Sequence, residues 1–345
     1  MRPRPSGLAL AALASACVLA CADPPAGDGD ASTETAGDGD PGDGDPGDGE
    51  PGDGDGDPGD GDGDPGDGDG DPIDASPGCG LAPPNPDEAY VGLDVDGVPR
   101  QFFLSYSPDY DPTIPSALIV GVHGRDYAGE PMKAYLGLED QVTPGAQEIF
   151  VYPDALSRDF GPWGQLVGWQ LGPGAADTPA AGEEDLAFID AMLDYVEASF
   201  CVDRRRVFVT GQSWGGDMSS VLACVRGDRF RASVPVATNG TYQLESPPVA
   251  CAGEVAMWVM HGKMDEFFAV AVGEEVRDYW LAQNGCDPDA AADLGISLDD
   301  ATPEDCVEYL DCEVAMRWCL YAGGFGHQIP FDYYAEETMA FFRSF

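Results

Sequence analysis

A chain of 345 residues carrying 63 acidic and 16 basic side chains, with a formal charge of −47, is not built to grip nucleic acid, because nothing in its balance neutralises phosphate. Its hydrophobic fraction of 43% is ample for a buried core, but the acid is unevenly spread: 20 of the 63 carboxylates lie before Ala75, where the only basic residues are Arg2 and Arg4. Nucleic acid is therefore excluded as a partner of either part.

Residues 1–20 read as a lipoprotein-type export signal. Arg2 and Arg4 form a basic start, Leu8 to Leu19 an apolar stretch too short for a comfortable bilayer span, and Val18-Leu19-Ala20-Cys21 resembles a bacterial lipobox. Cys21 is then the lipidated first residue of the mature chain, and that lipid its one membrane contact. An ordinary secretory signal is the alternative, and Cys17 fits less well because Ala14 stands three residues before it. Export follows either way, to the outer membrane or cell surface as a lipoprotein, otherwise as a secreted protein. From 21 to 75 the chain is almost wholly Gly, Asp and Pro, without Lys or Arg, and has too little apolar surface to offset the entropy of ordering. It reads as a disordered acidic linker reaching roughly 40 Å or more. Its Gly-Asp dipeptides lack the nonapeptide period of calcium β-rolls.

Residues 76–345 have the length of one well-cored domain. Phe102 to Tyr106, Ala117 to Val122 and Ile149 to Tyr152 predict strands, the second buried on both faces. Leu186, Phe188, Ile189, Met192, Leu193 and Val196 predict a helix over 183–200. Strand 206–210, helix 214–226, strands 232–236 and 255–260, helix 270–283, strand 314–321 and helix 333–342 complete an α/β alternation. It implies a mostly parallel sheet with helices on both faces and reactive groups at the strands' carboxyl ends.

Gly211-Gln212-Ser213-Trp214-Gly215 joins one such strand to one such helix. The strand-turn-helix context, with Met218, Val221, Leu222 and Val225 on one helical face, marks a nucleophile elbow with Ser213 at its tip. A serine hydroxyl needs a base, and the chain has three histidines. His327, after the glycine-rich Gly323-Gly324-Phe325-Gly326, is the expected base. His123 is expected to be structural, in a loop whose backbone near Arg125 joins that of Trp214 in an oxyanion hole. Asp265, in His261-Gly262-Lys263-Met264-Asp265, is the expected orienting acid, with Glu266 the competing choice and Asp217 and Asp278 less well placed. The order Ser213, Asp265, His327 is that of α/β hydrolases.

The stretch from Asp185 through Val236, together with His123-Gly124, His261-Gly262, Asp265 and Gly326-His327, resembles the esterase family of polyhydroxybutyrate depolymerases and feruloyl or acetylxylan esterases. Gly78-Cys79-Gly80, Cys201, Cys224 and Asn284-Gly285-Cys286 are similar to the cysteine-bearing feruloyl esterases of that group. The resemblance implies an α/β-hydrolase fold, a triad of Ser213, Asp265 and His327, an oxyanion loop at Gly124 and Arg125, and no cofactor. It departs at Gln328-Ile329-Pro330, where members usually carry Trp-Pro after the histidine. The expected partner is an ester substrate, either a polyester oligomer or an acyl ester on polysaccharide, and Trp169, Phe267 and Phe325 are its expected contacts, with Trp163, Trp214 and Phe268 nearby. A non-catalytic surface binding protein or a peptidase of the same fold are the alternatives. The eight cysteines after Cys21 are expected in disulfides, with Cys286, Cys306, Cys312 and Cys319 paired among themselves; no ligand spacing points to zinc.

Overall fold

Every side chain of Ser116–Val122 is buried because its two faces meet two separate cores: Leu118, Val120 and Val122 pack into one, Ala117 and Ile119 into the other. The computed structural model describes residues 74–170, 179–245, 248–296, 305–322 and 325–345. The expected leader, Cys21, most of the acidic linker, and Gly323-Gly324 lie outside the described residues. Asp74 and Ala75, expected in the linker, already belong to the fold: Arg204 donates its backbone N–H to the Asp74 carbonyl and Ala75 bridges to Asp203.

In chain order the strands are β1 (Ala89–Val95), β2 (Val98–Tyr106), β3 (Ser116–Val122), β4 (Glu148–Pro153), β5 (Ser157–Asp159), β6 (Gln165–Val167), β7 (Val202–Gln212), β8 (Ala232–Val236), β9 (Ala256–Gly262), β10 (Ala291–Asp293), β11 (Asp305–Tyr309) and β12 (Met316–Tyr321). The helices are α1 (Gly129–Leu136), α2 (Pro179–Ser199), α3 (Trp214–Val225), α4 (Tyr242–Glu245), α5 (Val270–Gln283) and α6 (Tyr334–Arg343). Ten strands form one sheet in the order β1-β2-β4-β3-β7-β8-β9-β12-β11-β10. From β4 to β12 every neighbouring pair is parallel, and antiparallel strands are added at both edges. Helices α2, α3 and α5 cover one face and α1 and α6 the other, so the expected α/β architecture is present.

The carboxyl ends of β3, β7, β9 and β12 all lie on one edge of the sheet, because parallel strands point the same way. That edge carries the loops holding His123, Ser213, Asp265 and His327. The remaining pair, β5 with β6, stands apart from the main sheet as a small hairpin. Arg158 on β5 holds it down by a two-pronged ion pair to Asp185 at 3.0 Å per bond. Arg100 on β2 meets the same carboxylate at 2.8 Å, both side chains wholly buried, and stacks over Phe188.

Asp185 thus pairs with two guanidinium groups, and Glu184 supplies a second carboxylate to Arg158. Asp185→Ala should cost about 3–5 kcal/mol in urea unfolding, because it strands the buried Arg100 charge. A loss below about 1 kcal/mol would mean that water or Glu184 takes over the pairing.

Four disulfides join Cys79 to Cys201, Cys224 to Cys251, Cys286 to Cys312 and Cys306 to Cys319. The last four cysteines pair among themselves, as expected. Cys306 and Cys319 face each other across the β11–β12 ladder. No helix among the described residues is long and apolar enough to cross a membrane.

Candidate active site

The turn after β7 has no room for side chains at its glycines. A Cβ on Gly211 would run into the Gly215 carbonyl, and one on Gly215 into the Val122 carbonyl of the neighbouring strand. Ser213 between them is held at φ 57° and ψ −126°, a conformation that non-glycine residues avoid, and its N–H is tied to the Val236 carbonyl at 2.9 Å. The hydroxyl is thereby lifted off the sheet.

His327 comes back over it from the loop after β12. Its Nε2 lies 2.9 Å from Ser213 Oγ and its Nδ1 2.7 Å from Asp265 Oδ2. The Asp265 side chain is wholly buried, and its other oxygen accepts the backbone N–H groups of Phe267 at 2.8 Å and Phe268 at 2.9 Å. With Oδ1 so occupied, Oδ2 is left to accept from His327. Nδ1 must then carry the proton, and Nε2 is free to accept one from serine. Glu266 instead lies against Gly326, Asp278 pairs with Arg277, and Asp217 is bonded elsewhere. The histidine loop is fixed by Gln212, whose amide donates to the His327 carbonyl, by Tyr321, whose hydroxyl donates to the Gln328 carbonyl at 2.7 Å, and by Tyr135, which accepts from the Ile329 N–H at 3.2 Å.

His123 is fully buried. It accepts the Ala155 N–H at Nε2 (3.0 Å), so its proton sits on Nδ1, which faces the Gly124 carbonyl at 2.6 Å. Burial lowers its pKa and keeps it neutral. It therefore orients the loop that follows β3. The backbone N–H groups of Arg125 and Trp214 have no acceptor among the described residues. His261 is likewise buried with a lowered pKa, its Nε2 3.0 Å from the Phe268 carbonyl.

A cleft of about 480 Å³ opens over Ser213 and His327, walled by Tyr127, Met132, Tyr135, Trp214, Phe267 and Phe268, with Arg125, Gln212, Glu266 and Gln328 as further polar residues of its lining. Phe267 is at this wall, its ring 4.9 Å from that of His327. Trp169 is not. It is 1% exposed and donates its indole N–H to the His123 carbonyl at 2.8 Å, so it supports the loop from below instead of contacting a ligand. Phe325 is also turned away from the cleft, packing toward Phe331 and the core under α6. Tyr135 and Gln212, which the sequence reading left out, take part in the wall. Gln212, the last residue of β7, was detectable as the polar side chain directly before the serine.

Asp217, one turn into α3, is fully buried with its Oδ1 on the Asn239 N–H at 2.7 Å and its Oδ2 unpartnered among the described residues. Burial pushes its pKa up to about 7. Its folded value lies above the 3.8 of a free carboxyl, so its contribution to stability is fully present below pH 4 and is lost as pH rises through 7. Asp217→Asn keeps the acceptor without the charge. Relative to wild type, the variant should therefore gain stability between pH 4 and pH 8, by on the order of 4 kcal/mol. A difference in unfolding free energy that does not change with pH would show that Asp217 is ionised throughout.

The chain is 34% identical over 222 residues to a probable feruloyl esterase C of Aspergillus niger, covering 62% of this chain and 70% of the relative. It is 31% identical over 258 residues to feruloyl esterase C of Emericella nidulans, covering 72% and 83%. It belongs to the feruloyl esterase family. It is accordingly an ester-hydrolysing enzyme. No protein-family model matches. The fold of this feruloyl esterase relative is shared with solved esterases: an acetyl xylan esterase from Aspergillus awamori superimposes with a TM-score of 0.54 at 14% identity, covering 74% of this chain and 99% of the other. A thermostable esterase gives 0.53 at 15% identity, covering 75% and 63%.

Proposed function

We propose that Ser213 is the nucleophile, His327 the general base and Asp265 its orienting acid in hydrolysis of a carboxylic ester through an acyl-enzyme. The observation that carries this reading is the unbroken line Ser213 Oγ, His327 Nε2, His327 Nδ1, Asp265 Oδ2, with gaps of 2.9 and 2.7 Å. In this reading Oγ attacks the ester carbonyl carbon while Nε2 takes its proton. The negative charge on the carbonyl oxygen is met by the Arg125 and Trp214 N–H groups, which are fixed in place before the reaction. His327 then returns the proton to the departing alcohol, and a water repeats the sequence to release the acid.

The aromatic wall of Phe267, Phe268 and Tyr135 suits a flat acyl group, and the named relatives are feruloyl esterases, so the substrate class is a hydroxycinnamoyl or acetyl ester on polysaccharide. The chain is exported under its N-terminal signal, and Cys21 carries the lipid that holds it at the surface through the acidic linker; the catalytic domain runs from 76 to 345.

A fluorophosphonate probe should label the folded chain once, at Ser213, and release of ferulate from methyl ferulate should cease on labelling. Turnover that persists in fully labelled protein would remove Ser213 as nucleophile. Release of 3-hydroxybutyrate from amorphous polyester without ferulate or acetate release would replace the polysaccharide ester with a polyester.

A further inference from the structure

We propose that the alcohol half of the substrate is an acidic sugar, whose ring stacks on Trp163 and whose carboxylate is met by Arg125. This rests on the reading of Ser213 as an esterase nucleophile and names which ester it receives. Two groups flank the same indole at the cleft wall: the Arg125 guanidinium lies 6.0 Å from the Trp214 ring and the Trp163 ring 6.2 Å from it. Trp163 sits at the tip of the β5–β6 hairpin and is 67% exposed, among the most open large apolar side chains described, and a flat indole in that position offers a face to the C–H side of a pyranose.

Arg125 is one of three arginines of the domain, with Arg206 and Arg231, for which no carboxylate lies within 3.3 Å among the described residues, and of the three it is the one that lines the cleft. Nine arginines of the domain hold a carboxylate at 3.3 Å or closer. Arg125, with a half-exposed side chain in the cleft, has among the described residues only Asp126, at 3.8 Å. In a domain with 43 acidic against 14 basic residues, a guanidinium left without a close carboxylate beside the nucleophile is an unused bidentate donor for a substrate carboxylate. Its position is fixed. Asp126 adopts φ 55°, donates its N–H to the Val167 carbonyl at 2.8 Å and accepts the Val167 N–H at 3.0 Å, so the arginine loop and the tryptophan hairpin are locked to each other. Glu266, also in the cleft lining, would repel an anion bound beside it. The domain's overall negative charge repels a long polyuronate at range, so the fitting substrate carries one uronate at the ester, on an otherwise neutral chain.

The test compares the full chain on matched feruloyl esters of methyl galacturonate glycoside free acid and methyl galactoside, which differ only at C6, with methyl ferulate as the sugar-free reference. Wild type should show kcat/KM at least about tenfold higher on the acidic sugar ester, a ratio that falls to about one in R125Q. W163A should lower both sugar esters about tenfold relative to methyl ferulate. Equal kcat/KM on the matched pair in wild type, a preference that survives R125Q, or an equal loss on all three esters in W163A would each overturn the proposal. So would the same Arg125-dependent gain on a succinate monoester of the neutral sugar, which would put the carboxylate on the acyl side. Turnover without preference leaves Ser213 as nucleophile; silence on every ester with Ser213 unlabelled would instead remove the esterase reading itself.

Discussion

Ser213→Ala and His327→Ala are each expected to lower kcat for methyl ferulate hydrolysis by about 10⁶-fold, and the double variant to be little worse than either. The two groups act in one step: without Oγ there is nothing to acylate, and without Nε2 the hydroxyl keeps its proton. What remains should come from the oxyanion donors and substrate binding, which these changes leave in place. Thermal unfolding should move little, since neither side chain belongs to the core. Stopped assays with purified protein read the turnover and circular dichroism reads the melt. A residual rate within a hundredfold of wild type in either variant would dissolve the triad assignment.

The second large effect is expected at Asp265. Asp265→Asn preserves the shape and one acceptor for the Phe267 and Phe268 N–H groups, but it can turn an amide NH₂ toward His327 Nδ1. Nδ1 would then be held as acceptor and the proton moved to Nε2, where it cannot receive another from serine. The expected cost is about 10⁴-fold in kcat. Glu266→Gln should change kcat only a few-fold, because its carboxylate sits beside Gly326 and makes no bond to His327. If Glu266→Gln were the damaging change, the acid has been misassigned.

Much of the frame was legible because it rests on periodicity. The strand at Ala232–Val236 and the helix at Val270–Gln283 have the bounds expected, and β7, with Ser213 following it, was marked by an apolar run that gives way to helical spacing. Two edge strands were missed for physical reasons. β11 is half exposed and polar and β10 has three residues, so neither has an apolar pattern to read, whereas β1 does alternate Val91, Leu93 and Val95 toward the core and was passed over. A further signal was available: Asp96-Gly97, both at positive φ, is the two-residue turn that joins β1 to β2. Within the site, chain order and loop position sufficed for Ser213, His327 and Asp265. They did not suffice for Trp169 and Phe325, since a loop aromatic gives no sign of whether it faces a ligand or props up the backbone from beneath. The burial of Trp169 depends on the His123 carbonyl, 46 residues away in sequence.

The β5–β6 hairpin contributes no strand to the ten-stranded sheet, and it is fastened at two points, Arg158 and Val167. Between those fasteners, residues 159–165 lie outside the strands that lead to Ser213 and His327, and they meet the main domain through Phe160 and Trp163 against the Trp214 ring. The molecule is in that sense divided into a sheet that holds the proposed triad and a hairpin that only borders it. Libraries confined to those seven positions would show directly whether the hairpin sets the alcohol specificity proposed above.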